Sequence, residues 1–278
     1  VLPWRWCLRL YWRLAASPLL MREEVAGSRS GRELLGLPRH DEQFDQRFRF
    51  GFLLEHADVF RALGRGWRGL AATMPLRGGS PADPSGGLCY FFNFNQGLPA
   101  LATLRAAGFQ VHLVYRSLAS RPPGVGLARY AYMRLRLHMV AVVCGNRGIG
   151  TGGARERIAQ TIADGGLVCV AADTPPRPNT GLVSVRFPGE RQAWWRSGIL
   201  KLAMQLPGPR RCFNVHLDWT TRQRALELID LPESLDLGAL VGILNEEFLS
   251  ALERQPELWF YWPGPQGFFQ FPEGARLD

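Results

Sequence analysis

The stretch Leu88–Gly108, with the sequence LCYFFNFNQGLPALATLRAAG, constrains the fold of this chain more than any other. The apolar, aromatic run Leu88–Phe92 predicts a buried strand, and the apolar run Leu98–Ala107 predicts a short helix. Gln110–Tyr115 then predicts a second strand. Strand, tight turn, helix and strand form a βαβ unit, in which ligands lie where strands end and helices begin. We therefore expect the functional site near Asn93.

The same alternation continues along the chain. Further strands are predicted at Met139–Cys144, Leu167–Ala172, Leu182–Phe187, Arg211–Asp218 and Ala225–Leu231. Helices are predicted at Arg39–Leu63, Leu127–Leu137, Ala154–Ala163, Trp194–Leu206 and Leu237–Arg254. This order predicts an α/β fold with a mixed, mostly parallel sheet flanked by helices. We expect one structural domain, with a helical, membrane-contacting section over residues 1–85 and an α/β core over residues 86–278.

Composition narrows the classes of partner and cofactor. The formal net charge is +9, and Lys201 is the only lysine among 33 basic residues. Arginine pairs with phosphate and carboxylate in bidentate fashion, which suits nucleic acid, anionic lipid headgroups or acidic carrier proteins, although genomic composition bias also produces such an excess. The five cysteines show neither Cys-x-x-Cys spacing nor a cluster with histidine, so we expect no disulfide framework and no metal site.

The first twenty residues, Val1–Leu20, combine tryptophan with three arginines spaced four apart. As a helix, these arginines fall on one side, and Trp4, Leu8, Tyr11, Trp12 and Ala15 supply apolar surface. That combination favours a helix lying in the plane of a membrane interface. Two alternatives are an ordinary amphipathic helix packed on the core and an arginine-rich targeting peptide.

A glycine-rich stretch suggests a remote alternative function. The order of the predicted elements is that of a dinucleotide site. A strand is followed by the glycine-rich loop Gly145–Gly150, a helix, and a second strand that ends at Asp173. The stretch resembles the nucleotide loop of short-chain dehydrogenases, which would imply an NAD(P)-dependent oxidoreductase. That family carries the loop at its amino terminus together with a Tyr-x3-Lys pair, and this chain has neither feature.

A second pattern extends over most of the chain. The strand ends in the hexapeptide Asn93–Leu98, and the next strand ends in Tyr115-Arg116. Three more elements follow in order: a helix that carries arginines, a strand that ends in Asp173-Thr174-Pro175, and a long helix that leads into Pro256–Trp259. This order resembles the bacterial lipid A biosynthesis acyltransferases, the lauroyl and myristoyl transferases of the lysophospholipid acyltransferase superfamily. Their corresponding hexapeptide is His-Phe-Gly-Asn-Trp-Glu.

The resemblance implies which residues form the site. The family's general-base histidine corresponds to Asn93, and its glutamate corresponds to Leu98; neither side chain can take up a proton near neutral pH. His216 and Asp218, two apart on a predicted strand, are the candidate substitute pair. The expected substrate-binding residues are Phe92, Phe94, Asn95, Gln96, Arg116, Arg134, Arg136 and Asp173.

The resemblance also implies an activity and a location. We expect an acyltransferase-like protein that handles acyl chains from acyl carrier protein, with a lipid or lipid-like acceptor and no cofactor. It would lie at the cytoplasmic face of the inner membrane as a peripheral protein, and nucleic acid is not expected as a partner. The alternative is a catalytically silent relative that binds an acyl chain or the carrier protein.

Overall fold

The computed structural model describes residues 3–38, 41–78, 84–94, 97–115, 118, 120–151 and 153–278. Its first part contains the helices α1 (Trp4–Ala15), α2 (Arg22–Leu34) and α3 (Glu42–Ala71). The Asp41 side chain caps α3 by accepting a hydrogen bond from the Phe44 backbone N–H at 3.0 Å. The backbone leaves helical geometry at Gly66, where φ is 63°, three residues beyond the predicted helix end. In the described residues, no helix has the length and apolar character that a membrane span requires.

The remaining residues form an alternating series of strands and helices. In chain order these are β1 (Gly87–Phe91), α4 (Gly97–Ala106), β2 (Val111–Tyr115), α5 (Leu127–Val143), β3 (Gly148–Gly150), α6 (Ala154–Ala163), β4 (Leu167–Ala171), β5 (Gly181–Phe187), β6 (Arg191–Arg196), α7 (Gly198–Ala203), β7 (Arg210–Leu217), β8 (Arg224–Leu231), α8 (Leu237–Arg254) and β9 (Arg276–Leu277).

The central sheet has six strands in the order β3-β2-β4-β1-β7-β8. The first five strands of that order run parallel, and β8 is antiparallel to β7. A small second sheet has the order β6-β5-β9. The predicted α/β fold, with a mostly parallel sheet and an N-terminal helical section, is therefore confirmed.

The connections between strands create a crevice at the carboxyl ends of β1, β2 and β4. β1 and β2 lead into α4 and α5, which contact each other and α3 on one face of the sheet. β4 lies between β1 and β2 but leads to β5 and β6, which pack on the other face. Ligands of open α/β sheets bind where neighbouring strands leave in opposite directions.

One predicted strand, Met139–Cys144, is wrong. These residues continue α5, whose last turns bury Met139, Val140 and Val143 against the sheet. A six-residue apolar run is equally compatible with a buried strand and with the end of a buried helix. In this protein the run is helical because it packs onto the face of the sheet. Because a helix precedes Gly145 and the glycines themselves supply β3, the strand–loop–helix arrangement of a dinucleotide site does not form.

The predicted helix Trp194–Leu206 is also partly wrong. Its first residues belong to β6, where Ala193 and Trp195 are fully buried opposite Val185 and Val183 of β5. That alternation has the period of two that a strand requires. Only Gly198–Ala203 is helical. The predicted helix Leu127–Leu137 ends six residues before the observed end of α5, and the other predicted strands and helices of the core lie within two residues of the observed ones.

Candidate functional site

Asn93 and Asp173 meet in the crevice between β1 and β4. Phe91 pairs with Ala171 in the parallel register, so the residues two positions further on lie side by side. The Asn93 backbone N–H lies 3.0 Å from both Asp173 carboxylate oxygens, and its side-chain Nδ2 donates to Oδ1 at 2.7 Å. The structure thus brings together two residues that the sequence placed in separate motifs.

Trp259 completes this cluster from the C-terminal part of the chain. Its indole Nε1 donates to Asp173 Oδ2 at 3.0 Å. The neighbouring Phe260 N–H donates to the Asn93 carbonyl at 2.7 Å, and Phe94 forms an antiparallel bridge with Trp259. Trp259 therefore holds the ends of both β1 and β4, although the sequence analysis used it only as one motif in an ordered series.

The Asp173 carboxyl group orients the Asn93 amide. Asp173 is fully buried, and burial raises its pKa to about 7, although the hydrogen bonds from Asn93 and Trp259 lower it. In its ionised form the Asp173 carboxylate only accepts hydrogen bonds, so Nδ2 of Asn93 faces it and the amide Oδ1 is left as an acceptor. Asn93 can therefore accept a hydrogen bond from a ligand hydroxyl, but it cannot take its proton.

A cavity of about 280 Å³ lies beside Asn93 on the face of the sheet that carries α3, α4 and α5. Apolar side chains form most of its wall, including Phe91, Leu98, Leu101, Leu113, Val140, Phe213 and Phe260. A groove of about 690 Å³ between α5 and the preceding loop adjoins it and shares Leu113, Arg136 and Val140 with it. The two spaces share part of a largely apolar wall beside Asn93, and together we call them the apolar cavity.

Three charged residues interrupt this apolar wall. Glu55 of α3 forms an ion pair with Arg136 of α5. Asp58 also borders the cavity and is held by Arg224, whose Nη1 lies 2.6 Å from Asp58 Oδ2. Nearby, His56 Nδ1 lies 2.5 Å from the Tyr132 hydroxyl, and burial lowers the pKa of His56.

The sequence analysis missed this polar group on α3, although the helix pattern contained a signal. Phe48, Phe52, Glu55 and Val59 are spaced four, three and four apart, so Glu55 lies on the apolar stripe of the helix. Glu55 is buried. A charged residue on a stripe that faces the core is informative because it must find a partner there. Arg136, predicted to bind substrate, is that partner.

The other predicted site residues have different surroundings. Leu98, at the Glu position, is buried in the cavity wall, and Phe92 and Phe94 border the same cavity while packing against Phe248 of α8. Arg134 is exposed on α5 and lines neither part of the apolar cavity. Asn95, Gln96 and Arg116 lie outside the described residues.

The substitute pair His216 and Asp218 does not form an interacting pair. His216 Nε2 lies 2.7 Å from Glu227 Oε2 on β8, and burial lowers the pKa of His216. Asp218 accepts hydrogen bonds from the backbone N–H groups of Thr220 and Thr221 in the turn between β7 and β8. Neither residue borders the apolar cavity.

The site as a whole can bind an apolar chain but has few groups able to move a proton. Of the described residues around the apolar cavity, the carboxylates are Glu55 and Asp58, and each is paired with an arginine. Asp173 beside it is fully buried and surrounded by donors. Compared with models of known protein families and with curated protein sequences, the chain matches none.

Proposed function

We propose that this protein is acyltransferase-like and binds an acyl chain in the apolar cavity, with the thioester end at Asn93; under this proposal we refer to it as the acyl cavity. The observation that carries the proposal is the apolar cavity of about 280 Å³ beside Asn93, at the point where β1 and β4 end. Since Asn93 and Leu98 stand where the resembling family has histidine and glutamate, we expect acyl transfer to be very slow or absent.

The surface near the acyl cavity suits an acidic donor. Arg121 is exposed at the wall of the groove, and Arg129 and Arg134 are exposed on α5. Acyl carrier proteins are acidic, and complementary charge speeds the encounter of such partners. We therefore propose acyl carrier protein as the acyl donor.

The first helix supports a membrane-contacting role, through a stripe different from the one predicted. Leu8 and Ala15 are buried, and Trp4 packs against the core, so much of the predicted membrane face is internal. Trp6 and Leu10 are instead 49% and 46% exposed, and Leu14 continues their stripe one turn later. Arg5, Arg9 and Arg13 are exposed on the same helix. We propose that this stripe meets the anionic cytoplasmic face of the inner membrane.

Replacing Trp6 and Leu10 by serine is expected to abolish most of the binding to anionic vesicles, because the apolar contact disappears while the fold is untouched. The measurement is co-sedimentation with vesicles at low and at high salt, where the electrostatic share is screened. Serine at Phe271 and Leu277, which are exposed elsewhere, is the matched control. Failure of the unaltered protein to co-sediment at low salt would contradict the membrane proposal.

Filling the acyl cavity is expected to weaken acyl-chain binding at least about tenfold. Leu98→Trp places a larger side chain in the space that the chain would occupy. Leu127→Trp, on a residue that is 70% exposed, is the matched control and is expected to bind as the unaltered protein does. Binding of dodecanoate is measured by calorimetry, with thermal unfolding as the check of folding.

Two results would overturn the acyl-binding proposal. One is the absence of saturable binding by the unaltered protein to any fatty acid in a series of increasing length. The other is equal affinity in Leu98→Trp and the unaltered protein. If Leu98→Trp does not fold, Val140→Phe fills the same cavity with a smaller change and is read in the same way.

A further inference from the structure

The acyl cavity consists of two spaces that meet at a short stretch of shared wall. The inner space, of about 280 Å³, lies beside Asn93, and the outer groove, of about 690 Å³, lies between α5 and the loop before it. Leu113, Arg136 and Val140 border both spaces. These three side chains therefore stand between the inner space and the outer groove, and Arg136 is the charged one of the three.

The Arg136 side chain crosses from one helix to another at this junction. It starts on α5, and its Nη2 pairs with Glu55 Oε1 on α3. Glu55 lines the inner space but not the outer groove, whereas Arg136 lines both. The Glu55 side chain is 9% exposed and that of Arg136 is 42% exposed, so the pair has a buried acidic end and a wetter basic end. We call this pair the Glu55–Arg136 bridge.

Neighbouring contacts hold α3 in place on both sides of the bridge. His56 follows Glu55, and its Nδ1 lies 2.5 Å from the hydroxyl of Tyr132, which is one turn before Arg136 on α5. Asp58, one turn beyond Glu55, is held by Arg224 of β8 at 2.6 Å. Because α3 is fastened to α5 and to β8 at this level, separation of the helices does not widen the junction.

The bridge is a barrier to an apolar chain but not to the chain's entry into the inner space. To pass Arg136, a chain would have to displace the guanidinium group from Glu55. That step would leave a nearly buried carboxylate beside hydrocarbon without its partner, which is costly. Each methylene buried within the inner space, by contrast, raises affinity about fourfold. Affinity should therefore rise with chain length until the chain reaches the bridge, and then stop rising.

We propose that the Glu55–Arg136 bridge sets the length of the acyl chain that this protein binds, with Arg136 as the specificity-determining residue. The inference rests on the proposed function, because it places an acyl chain in the inner space. It adds the class of chain: one short enough to lie between Asn93 and Arg136, with the outer groove beyond its reach. Removing the bridge would join the two spaces and admit longer chains.

Calorimetric titration with saturated fatty acids from octanoate to octadecanoate, each below its critical micelle concentration, tests this inference. For the unaltered protein, affinity should rise up to a limiting length and then level off or fall. Glu55→Gln combined with Arg136→Ala removes the bridge and leaves no unpaired carboxylate. In this variant the limiting length should increase by at least two carbons. The longest acids should then bind at least about tenfold tighter, whereas octanoate should change less than about twofold.

The matched control is Glu246→Gln combined with Arg186→Ala, which removes the same two charges from a surface pair. Those side chains are 64% and 55% exposed and line neither space, so the length profile should stay unchanged. Thermal unfolding is the check of folding. If the bridge variant does not fold, Glu55→Leu combined with Arg136→Leu is read in the same way, because apolar side chains often replace an ion pair without loss of stability.

The outcomes separate this inference from the proposed function. A folded bridge variant with the same limiting length as the unaltered protein would overturn the inference and leave acyl binding in place. An equal increase in the control, or affinity that keeps rising through octadecanoate in the unaltered protein, would do the same. Absence of saturable binding of any fatty acid by the unaltered protein would overturn the proposed function, and this inference with it.

Discussion

Asn93→His is expected to raise the rate of acyl transfer by about 10²–10⁴-fold over the unaltered protein, which is the usual contribution of a general base. The reason is the position of Asp173, whose Oδ1 lies 2.7 Å from the Asn93 amide nitrogen. An imidazole N–H in that place would donate to the same carboxylate. The second ring nitrogen would then be free to accept a proton from an acceptor hydroxyl or from water.

Adding Leu98→Glu to Asn93→His is expected to increase the gain or leave it unchanged. Leu98 lines the acyl cavity together with Asn93, so a glutamate there would restore both positions of the family that the chain resembles. The assay follows radiolabelled dodecanoyl groups from dodecanoyl acyl carrier protein, with lipid acceptors and with water alone, so that hydrolysis registers even when the acceptor is wrong.

Asn93→Gln is the matched control, because it keeps an amide and supplies no base. Asp173→Asn in the histidine background should remove much of the gain, since the carboxylate that orients the imidazole is lost. A folded Asn93→His variant that binds dodecanoate but shows no faster thioester cleavage would contradict the prediction. Robust turnover by the unaltered protein that Glu55→Gln abolishes would instead assign the base to Glu55.

Arg224→Met is expected to lower the free energy of unfolding by about 3–5 kcal/mol, the usual cost of leaving a buried charge without its partner. Arg224 and Asp58 have side chains that are each 1% exposed, and Arg224 Nη2 also lies 2.6 Å from Thr73 Oγ1. The pair fastens β8 to α3 beside the acyl cavity. The measurement is denaturant unfolding followed by circular dichroism.

The pH dependence of this loss provides a second readout. Burial raises the pKa of Asp58, and Arg224 lowers it, so removing the guanidinium raises that pKa further. A group whose pKa is higher in the folded than in the unfolded state stabilises the fold at low pH, and this contribution to the free energy of unfolding is lost as pH rises. The deficit of Arg224→Met should therefore shrink as the solution is acidified, because Asp58 then takes up a proton.

Two variants separate the charge effect from a general loss of packing. Arg186→Met breaks a pair with Glu246 whose side chains are 55% and 64% exposed, and it should cost no more than about 1 kcal/mol. Asp58→Leu combined with Arg224→Met removes both charges and should recover part of the loss. Equal losses in Arg224→Met and Arg186→Met, or a deficit that does not change with pH, would contradict the account of the buried pair.

The local sequence pattern by itself determined the βαβ unit around Asn93. Apolar runs bounded by turns predicted β1, α4 and β2 within two residues, because such runs report burial directly. The same pattern failed at Met139–Cys144, where the face that packs against the sheet, rather than the local run, decided between helix and strand. Local periodicity contains no information about that partner.

Only the tertiary structure decided the composition of the site. Asn93, Asp173 and Trp259 are far apart along the chain, and the parallel register of β1 with β4, together with the docking of the C-terminal segment, brings them within hydrogen-bonding distance. Likewise, Glu55 reaches the acyl cavity because α3 crosses the sheet beside α5. Spacing along the chain fixes which residues share a face of one element, whereas contact between elements depends on sheet order and on which face each connection crosses.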